Sequence, residues 1–225
     1  MVGVTTYCNY PAAATKKPRV GDALALNDEL AMSLKPDLIL AAEGDRSRVE
    51  RLARLTGAKL EVLSTKRVAD IWTNMRAIGR LTGTEAHANR EATALQARLK
   101  AAAARHPART PAPTAFYMVW DQPLMAAGPD SYLDDLIQLA GARNVVQASA
   151  GNSYPAYSWE SLLAANPSVI LGPRNMAGPL KKLESRYPHL QAVKTHRVRT
   201  LPDDLISRPG PRVVEAFEAV ATALR

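Results

Sequence analysis

The residues of this 225-residue chain that offer chemistry are chiefly rings. It carries twelve aromatics, three Trp, seven Tyr and two Phe, and most fall in loops or at strand ends. Tyr7 and Tyr10 lie in an early polar loop, and Trp120 closes the run TAFYMVW. Tyr154, Tyr157 and Trp159 precede a short helical stretch. Rings at the rim of a cleft grip a flat or bulky ligand by stacking, while a phenol or indole tip hydrogen-bonds it. Core packing is the other reading for any single ring. The clustering favours a binding surface, because Tyr10-Pro11 and Tyr154-Pro155 each run ahead of a similar segment. Arg208 and Arg212, in SRPGPR, can present guanidinium forks to a carboxylate or phosphate from a loop stiffened by Pro and Gly. The same arginines can instead pair at the surface with Asp203, Asp204 or Glu215.

Catalytic constellations are sparse. The chain has no G-x-G-x-x-G, P-loop, G-x-S-x-G or H-E-x-x-H motif. His87 and His106 fall on one long helical stretch and His189 and His196 near each other, with no facing carboxylates at metal-ligand spacing. The single cysteine, Cys8, excludes an internal disulfide. The residue set therefore points to gripping a ligand, with no catalytic and no metal-ligating residues assigned.

These side chains need a scaffold, and its dominant element is Thr84 to His106. The stretch lacks Gly and Pro, is rich in helix formers, and has Thr84 placed as its cap. At 1.5 Å per residue it predicts a helix roughly 35 Å long. Its large apolar residues, Leu95 and Leu99, form a thin seam that suits joining two bodies. Before it, Val2 to Val4 reads as a short strand, Asn27 to Ser33 as a helix, and Asp37 to Ala42 as a buried strand. Arg46 to Thr56 is a helix stopped by Gly57, Lys59 to Leu63 a strand, and Val68 to Leu81 a helix, so a parallel strand pair is expected. After it come a strand at Thr114 to Trp120 and a helix capped by Asp130 or Ser131 and ended by Gly141. A helix at Ser158 to Ala165, a strand at Ser168 to Leu171, part of a helix at Leu180 to Arg186 and a strand at Arg197 to Leu201 follow. Pro211 opens the last helix, with Val213, Phe217, Val220 and Leu224 on one side.

An internal echo supports two lobes. ELAMSLKPDLIL (29–40) and ESLLAANPSVIL (160–171) align without a gap, matching Glu29 to Glu160, Pro36 to Pro167 and Leu40 to Leu171. The expected fold is α/β: two lobes with mainly parallel sheets flanked by helices, joined by one long rigid helix. The division is an N-terminal lobe at 1–83, the interdomain helix at 84–106 and a C-terminal lobe at 107–225. The second lobe opens with a strand and helix that the first lacks, so a segment upstream is expected to be missing. That predicts an exposed apolar sheet edge near Val2 to Val4 and self-association through it.

Composition fits a globular chain, 47% apolar and 22% charged. The net charge of +8 is spread over the sequence instead of forming a basic block interleaved with aromatics, which argues against nucleic acid. No run approaches a membrane span, and MVGVTTYCNYP lacks the features of a secretory signal.

The stretches VGVTTYCNYP, LKPDLILA, WDQPLMAAGPDSYLDDLIQLAGARNVV and DDLISRPGPR give the chain, over nearly its whole length, a resemblance to a known family. It resembles the substrate-binding proteins of ABC importers for cobalamin, haem and iron siderophores, and YCNYP and the middle stretch look most like the cobalamin branch. The resemblance implies a non-catalytic carrier, outside the cytoplasm, that holds cobalamin or a related metal chelate in an interlobe cleft and delivers it to an ABC transporter permease. Tyr7, Tyr10, Trp120, Tyr154, Tyr157 and Arg208 would meet the ligand, and Glu29 and Glu160 would dock on permease arginines. A favourable charge at a helix N-terminus is the plainer reading of each Glu alone. Tryptophans that the cobalamin branch can carry are replaced near Ala23 and Ala42. Haem or a ferric siderophore is the alternative ligand. A cytosolic nucleotide-binding-type α/β enzyme is the alternative class, against which stands the lack of a phosphate loop.

Overall fold

The computed structural model describes residues 1–22, 25–147 and 151–225, and of Asp45 the backbone. Ala23 lies outside these residues. The chain divides into two compact units, Met1–Ser64 and Thr65–Arg225.

Unit 1 is built on a parallel pair, β1 (Leu38–Ala42) and β2 (Lys59–Leu63), with Leu38 opposite Lys59 and Ala42 opposite Leu63. Helix α1 (Asp28–Ser33) leads into β1, and α2 (Arg46–Thr56) crosses from β1 to β2. Asn27 caps α1 by accepting the N–H of Leu30 at 2.9 Å. The expected strand at Val2 to Val4 reduces to a single bridge between Val4 and Arg19. Val4 is buried while Val2 is 50% exposed, and among the described residues β1 and β2 pair only with each other, so each keeps an open edge.

Unit 2 begins with α3 (Val68–Leu81) and the long helix α4 (Glu85–Ala104). Its sheet runs β4 (Leu124–Ala126), β3 (Thr114–Asp121), β6 (Val169–Pro173) and β7 (Val198–Leu201), with β5 (Arg143–Asn144) also pairing with β3. Among these strand pairs β3–β4 is antiparallel and the others are parallel. Helices α5 (Tyr132–Leu139), α6 (Trp159–Ala165), α7 (Ala177–Arg186), α8 (Gln191–Lys194), α9 (Asp203–Ile206) and α10 (Val213–Ala223) complete the unit. Alternation along the strands sorts two cores onto two faces. Ala115, Tyr117, Val169 and Leu171 face α3, α4, α5 and α10, where Ile71, Leu95, Leu136 and Phe217 join them. Phe116, Met118 and Ile170 face the other way, onto Leu162, Leu180 and Leu183.

The border between units falls at Ser64, not at the expected Gly83, because α3 and α4 share the first of these cores. Ala92 and Ala102 of α4 are fully buried beside Leu95 and Leu99, so the apolar stripe is broader than its large residues suggest. Gly79 of α3 makes the close approach: a Cβ there would stand 2.3 Å from Ala88 Cβ. Thr84 does not cap α4 with its side chain. Its hydroxyl bonds Thr82 Oγ1 at 2.9 Å instead. Nor does Pro211 open α10, whose cap is Arg212.

Candidate functional site

The echo seen in the sequence extends through the backbone. Asn27 and Ser158 cap α1 and α6 alike, Ser158 Oγ accepting the N–H of Ser161 at 2.9 Å. Each helix then ends near a left-handed residue, Lys35 at φ 47° and Asn166 at φ 41°, directly before Pro36 and Pro167. A strand, a short 3-10 turn and a helix follow in the same register in both units. Glu29 and Glu160 are each the second residue of their helix, and both are exposed.

The aromatics do not follow this echo. In unit 1, Tyr7 and Tyr10 are 57% and 62% exposed on a loop folded back by Cys8 N–H to Thr5 O and Thr6 N–H to Gly21 O. Tyr10-Pro11 is cis and enters a 3-10 turn at Ala12–Lys16. Tyr154-Pro155 instead belongs to an extended segment laid antiparallel against β4. Tyr157 N–H donates to Leu124 O at 2.8 Å, Ala126 N–H to Pro155 O at 3.1 Å, and Gly128 N–H to Ser153 O at 2.9 Å. The two Tyr-Pro pairs are therefore not equivalent.

That seam arranges the unit 2 residues. Trp120 pairs with Met125 across the hairpin and Met125 with Ala156 across the seam, so the three form one row. Trp120 is 47% exposed, Ala156 is exposed and Met125 half-buried. The Trp120 indole N–H is already used, donating to Gln122 O at 3.1 Å, which leaves the ring face as its contribution. Tyr154, two residues from Ala156, shares that face, while its inner side packs on the first core. Burial pushes its phenol above the ordinary range. Tyr157 turns the other way, its ring 5.4 Å from Phe116 in the second core, and burial raises its phenol too. Arg208 pairs with Asp204 at 2.8 Å, the surface alternative foreseen for it, and Arg212 donates to the Asp204 carbonyl at 3.2 Å. The structure thus brings together Trp120 and Tyr154 and sets Tyr157 apart.

Sequence reasoning missed Met125 and Ala156, which join the site only through long-range pairing. It also missed a buried polar knot beneath the loop. Asp134, 2% exposed, accepts from Asn144 Nδ2 at 2.9 Å and Gln138 Nε2 at 2.6 Å. Asn144 Nδ2 also donates to Ala127 O at 2.9 Å, and Ser131 Oγ to Gly128 O at 2.7 Å. Burial raises the Asp134 carboxyl, with these two side-chain donors opposing it. Tyr117 and Tyr132 are pushed up by burial as well and stay neutral in the core. Asp134, Tyr117 and Tyr132 are thus tied into packing, while the exposed groups offer ring faces, phenols and carboxylates. A cavity of about 260 Å³ in unit 2 lies apart from all of these, lined by His106, Arg109, Gly141, Leu224 and Arg225 among others. Among the described residues no group of three His, Cys, Asp or Glu could hold a metal ion, and no helix is long and apolar enough to cross a membrane.

Known proteins resemble this chain in sequence and fold. An uncharacterised ABC transporter substrate-binding lipoprotein of Bacillus subtilis is 27% identical over 100% of this chain and 73% of its own length. The crystal structure of a periplasmic vitamin B12 binding protein of Vibrio cholerae matches at a TM-score of 0.81 and 26% identity, covering 99% of this chain and 87% of that one. A periplasmic haem-binding protein in complex with two haems matches at 0.86 and 25% identity, covering 100% and 90%. A model for the periplasmic binding proteins matches residues 1–205, and the chain belongs to that family of binding proteins.

Proposed function

We propose that this chain is a non-catalytic carrier that binds cobalamin or a related metal chelate outside the cytoplasm and delivers it to an ABC transporter permease. The observation that carries the reading is the exposed row of Trp120, Met125 and Ala156 beside Tyr154. It is apolar and held by strand pairing, and it suits the face of a flat macrocycle. Within unit 2, Arg208 offers a guanidinium exchanging between Asp204 and an acidic group on the ligand; unit 1 by itself presents the exposed phenols of Tyr7 and Tyr10. The names of the relatives support both the export and the permease partner. Haem is the second reading, favoured by the likeness to the haem-bound structure and by the two exposed tyrosines.

All three tryptophans, Trp72, Trp120 and Trp159, belong to unit 2. Titration with cyanocobalamin should quench their emission, and Trp120→Ala should weaken binding by roughly tenfold or more. Haemin should instead give a Soret band that shifts in Tyr7→Phe or Tyr10→Phe. Absence of both quenching and a Soret change would sink the carrier reading, and turnover of a nucleotide substrate would favour the enzyme class. Glu29 and Glu160 would each dock on a permease arginine, and Glu29→Ala or Glu160→Ala should slow association with permease vesicles by roughly threefold to tenfold. The open edge of β1, where Leu40 is 43% exposed, is where a second copy would pair. Sedimentation at rising concentration tests that, and a monomer throughout would refute it.

A further inference from the structure

Arg67 stands three residues past Ser64, the last residue of unit 1, and is the hub of an ion-paired seam within unit 2. Its Nε donates to Asp135 Oδ2 at 3.1 Å while Nη2 pairs with Asp135 Oδ1, a two-pronged grip. The remaining nitrogen, Nη1, pairs with Asp130 Oδ1. The N–H of Val68 donates to Asp135 Oδ2 at 2.8 Å. Asp70 Oδ2 accepts the N–H groups of Lys66 and Arg67 at 2.9 and 3.0 Å. Both ends of the Arg67 residue are thereby fixed. Asp135 is the inner anchor, its side chain 17% exposed, and Asp130 the outer arm at 76%.

Asp130 in turn holds the segment that carries Tyr154. It adopts φ 64°, a left-handed conformation that Asp and Asn tolerate better than other side chains. Its carbonyl accepts Ser153 Oγ at 3.0 Å, and Gly128 N–H donates to Ser153 O at 2.9 Å. Contact between the two stretches is close: a Cβ on Gly128 would stand 2.8 Å from Pro155 Cδ.

We propose that Arg67, Asp130 and Ser153 are positioning residues, a clamp that fixes the Tyr154 loop to the chain just past the junction of the units. It thereby presets the ring for its ligand, a consequence that rests on the carrier reading. Without Asp130's charge Arg67 keeps both bonds to Asp135, so the fold survives and the outer arm alone is weakened, from a charge-assisted pair to at most a hydrogen bond with a neutral acceptor. Asp130→Asn is the clean variant, since Asn tolerates the left-handed backbone and lacks the charge.

The test is amide hydrogen exchange on the ligand-free protein. In Asp130→Asn the Gly128 and Tyr154 amides should exchange roughly threefold to fivefold faster, the scale of one surface ion pair, with Phe116 and Leu171 amides unchanged. Ser153→Ala should act likewise, and Arg67→Lys, a point charge that cannot fork between two carboxylates, should do so in part. Salt at about 1 M, where screening reaches about 3 Å, should move the wild type towards Asp130→Asn. Unchanged exchange at Gly128 and Tyr154, or an equal rise at Phe116 and Leu171, overturns the clamp. Binding of cyanocobalamin and haemin is read on the same proteins. If the wild type binds either, Asp130→Asn should bind it weaker by a similar factor through faster release, and equal affinity overturns the positioning role. If it binds neither, the carrier reading falls and exchange alone decides the clamp.

Discussion

Leu171 of β6 is wholly buried, whereas Leu40, at the same place in β1, is 43% exposed. The local code around them is alike: a capped short helix, a left-handed residue, a proline, an apolar strand, a 3-10 turn and a helix. What differs is company. β6 lies between β3 and β7, with a core on each face, while β1 has β2 as its one partner among the described residues. Among the described residues of unit 1 the buried apolar ones are Val4, Ala14, Ala31, Val49 and Leu52, each still 3–7% exposed and two of them alanines. The comparison teaches that local sequence sets the shape of this segment, and its neighbours set how much it contributes to stability.

The sharpest way to break that comparison is a matched pair of truncations. Leu171→Ala should cost about 2–5 kcal/mol in urea unfolding, and Leu40→Ala less than about 1 kcal/mol. Because every tryptophan is in unit 2, indole emission should register the first and miss the second. Equal costs would mean that β1 is covered after all. A smaller effect tests what the two segments share. Asn27→Ala and Ser158→Ala should each cost about 1 kcal/mol, since both caps satisfy one helix N–H in the same geometry. A large difference between them would show that the caps depend on their surroundings.

The smallest effect is a pH slope confined to unit 2. The folded protein holds the Asp134 carboxyl above its ordinary value, so it binds that proton more tightly than the unfolded chain does. This stabilising contribution is complete below about pH 4, the unfolded value, and is lost as pH rises through the folded one. Asp134→Asn should flatten that part of the thermal midpoint's pH dependence seen by tryptophan emission. An unchanged slope would assign it to other groups.

Most of the scaffold was legible because it is written in local periodicity. The pair β1 and β2, strands β3, β6 and β7, and helices α2, α3 and α5 fall close to where apolar spacing and Gly or Pro punctuation put them. Ser131 does cap α5, its hydroxyl accepting the N–H of Asp134 at 3.0 Å. The border at Ser64 was hidden because alanines such as Ala92 and Ala102 bury themselves without announcing it. The seam of β4 with residues 153–157 was hidden because LMA is too short to show a period and Pro155 argues against a strand. At the site, ring-bearing residues were visible as types, but their grouping came from pairings across more than thirty residues, as between Met125 and Ala156. The opposite orientations of Tyr154 and Tyr157 likewise depend on the register of that seam.

The missing side chain at Gly128 has a consequence for how such a surface can change. With Pro155 pressed against that glycine, the seam has one permissible thickness, and any larger residue at 128 would lift the whole strip. Adaptation to bulkier or smaller cargo is thereby channelled into outward-facing positions, Ala156 foremost, where growth meets solvent instead of backbone. A family using this design could retune its grip one side chain at a time without redrawing the frame beneath.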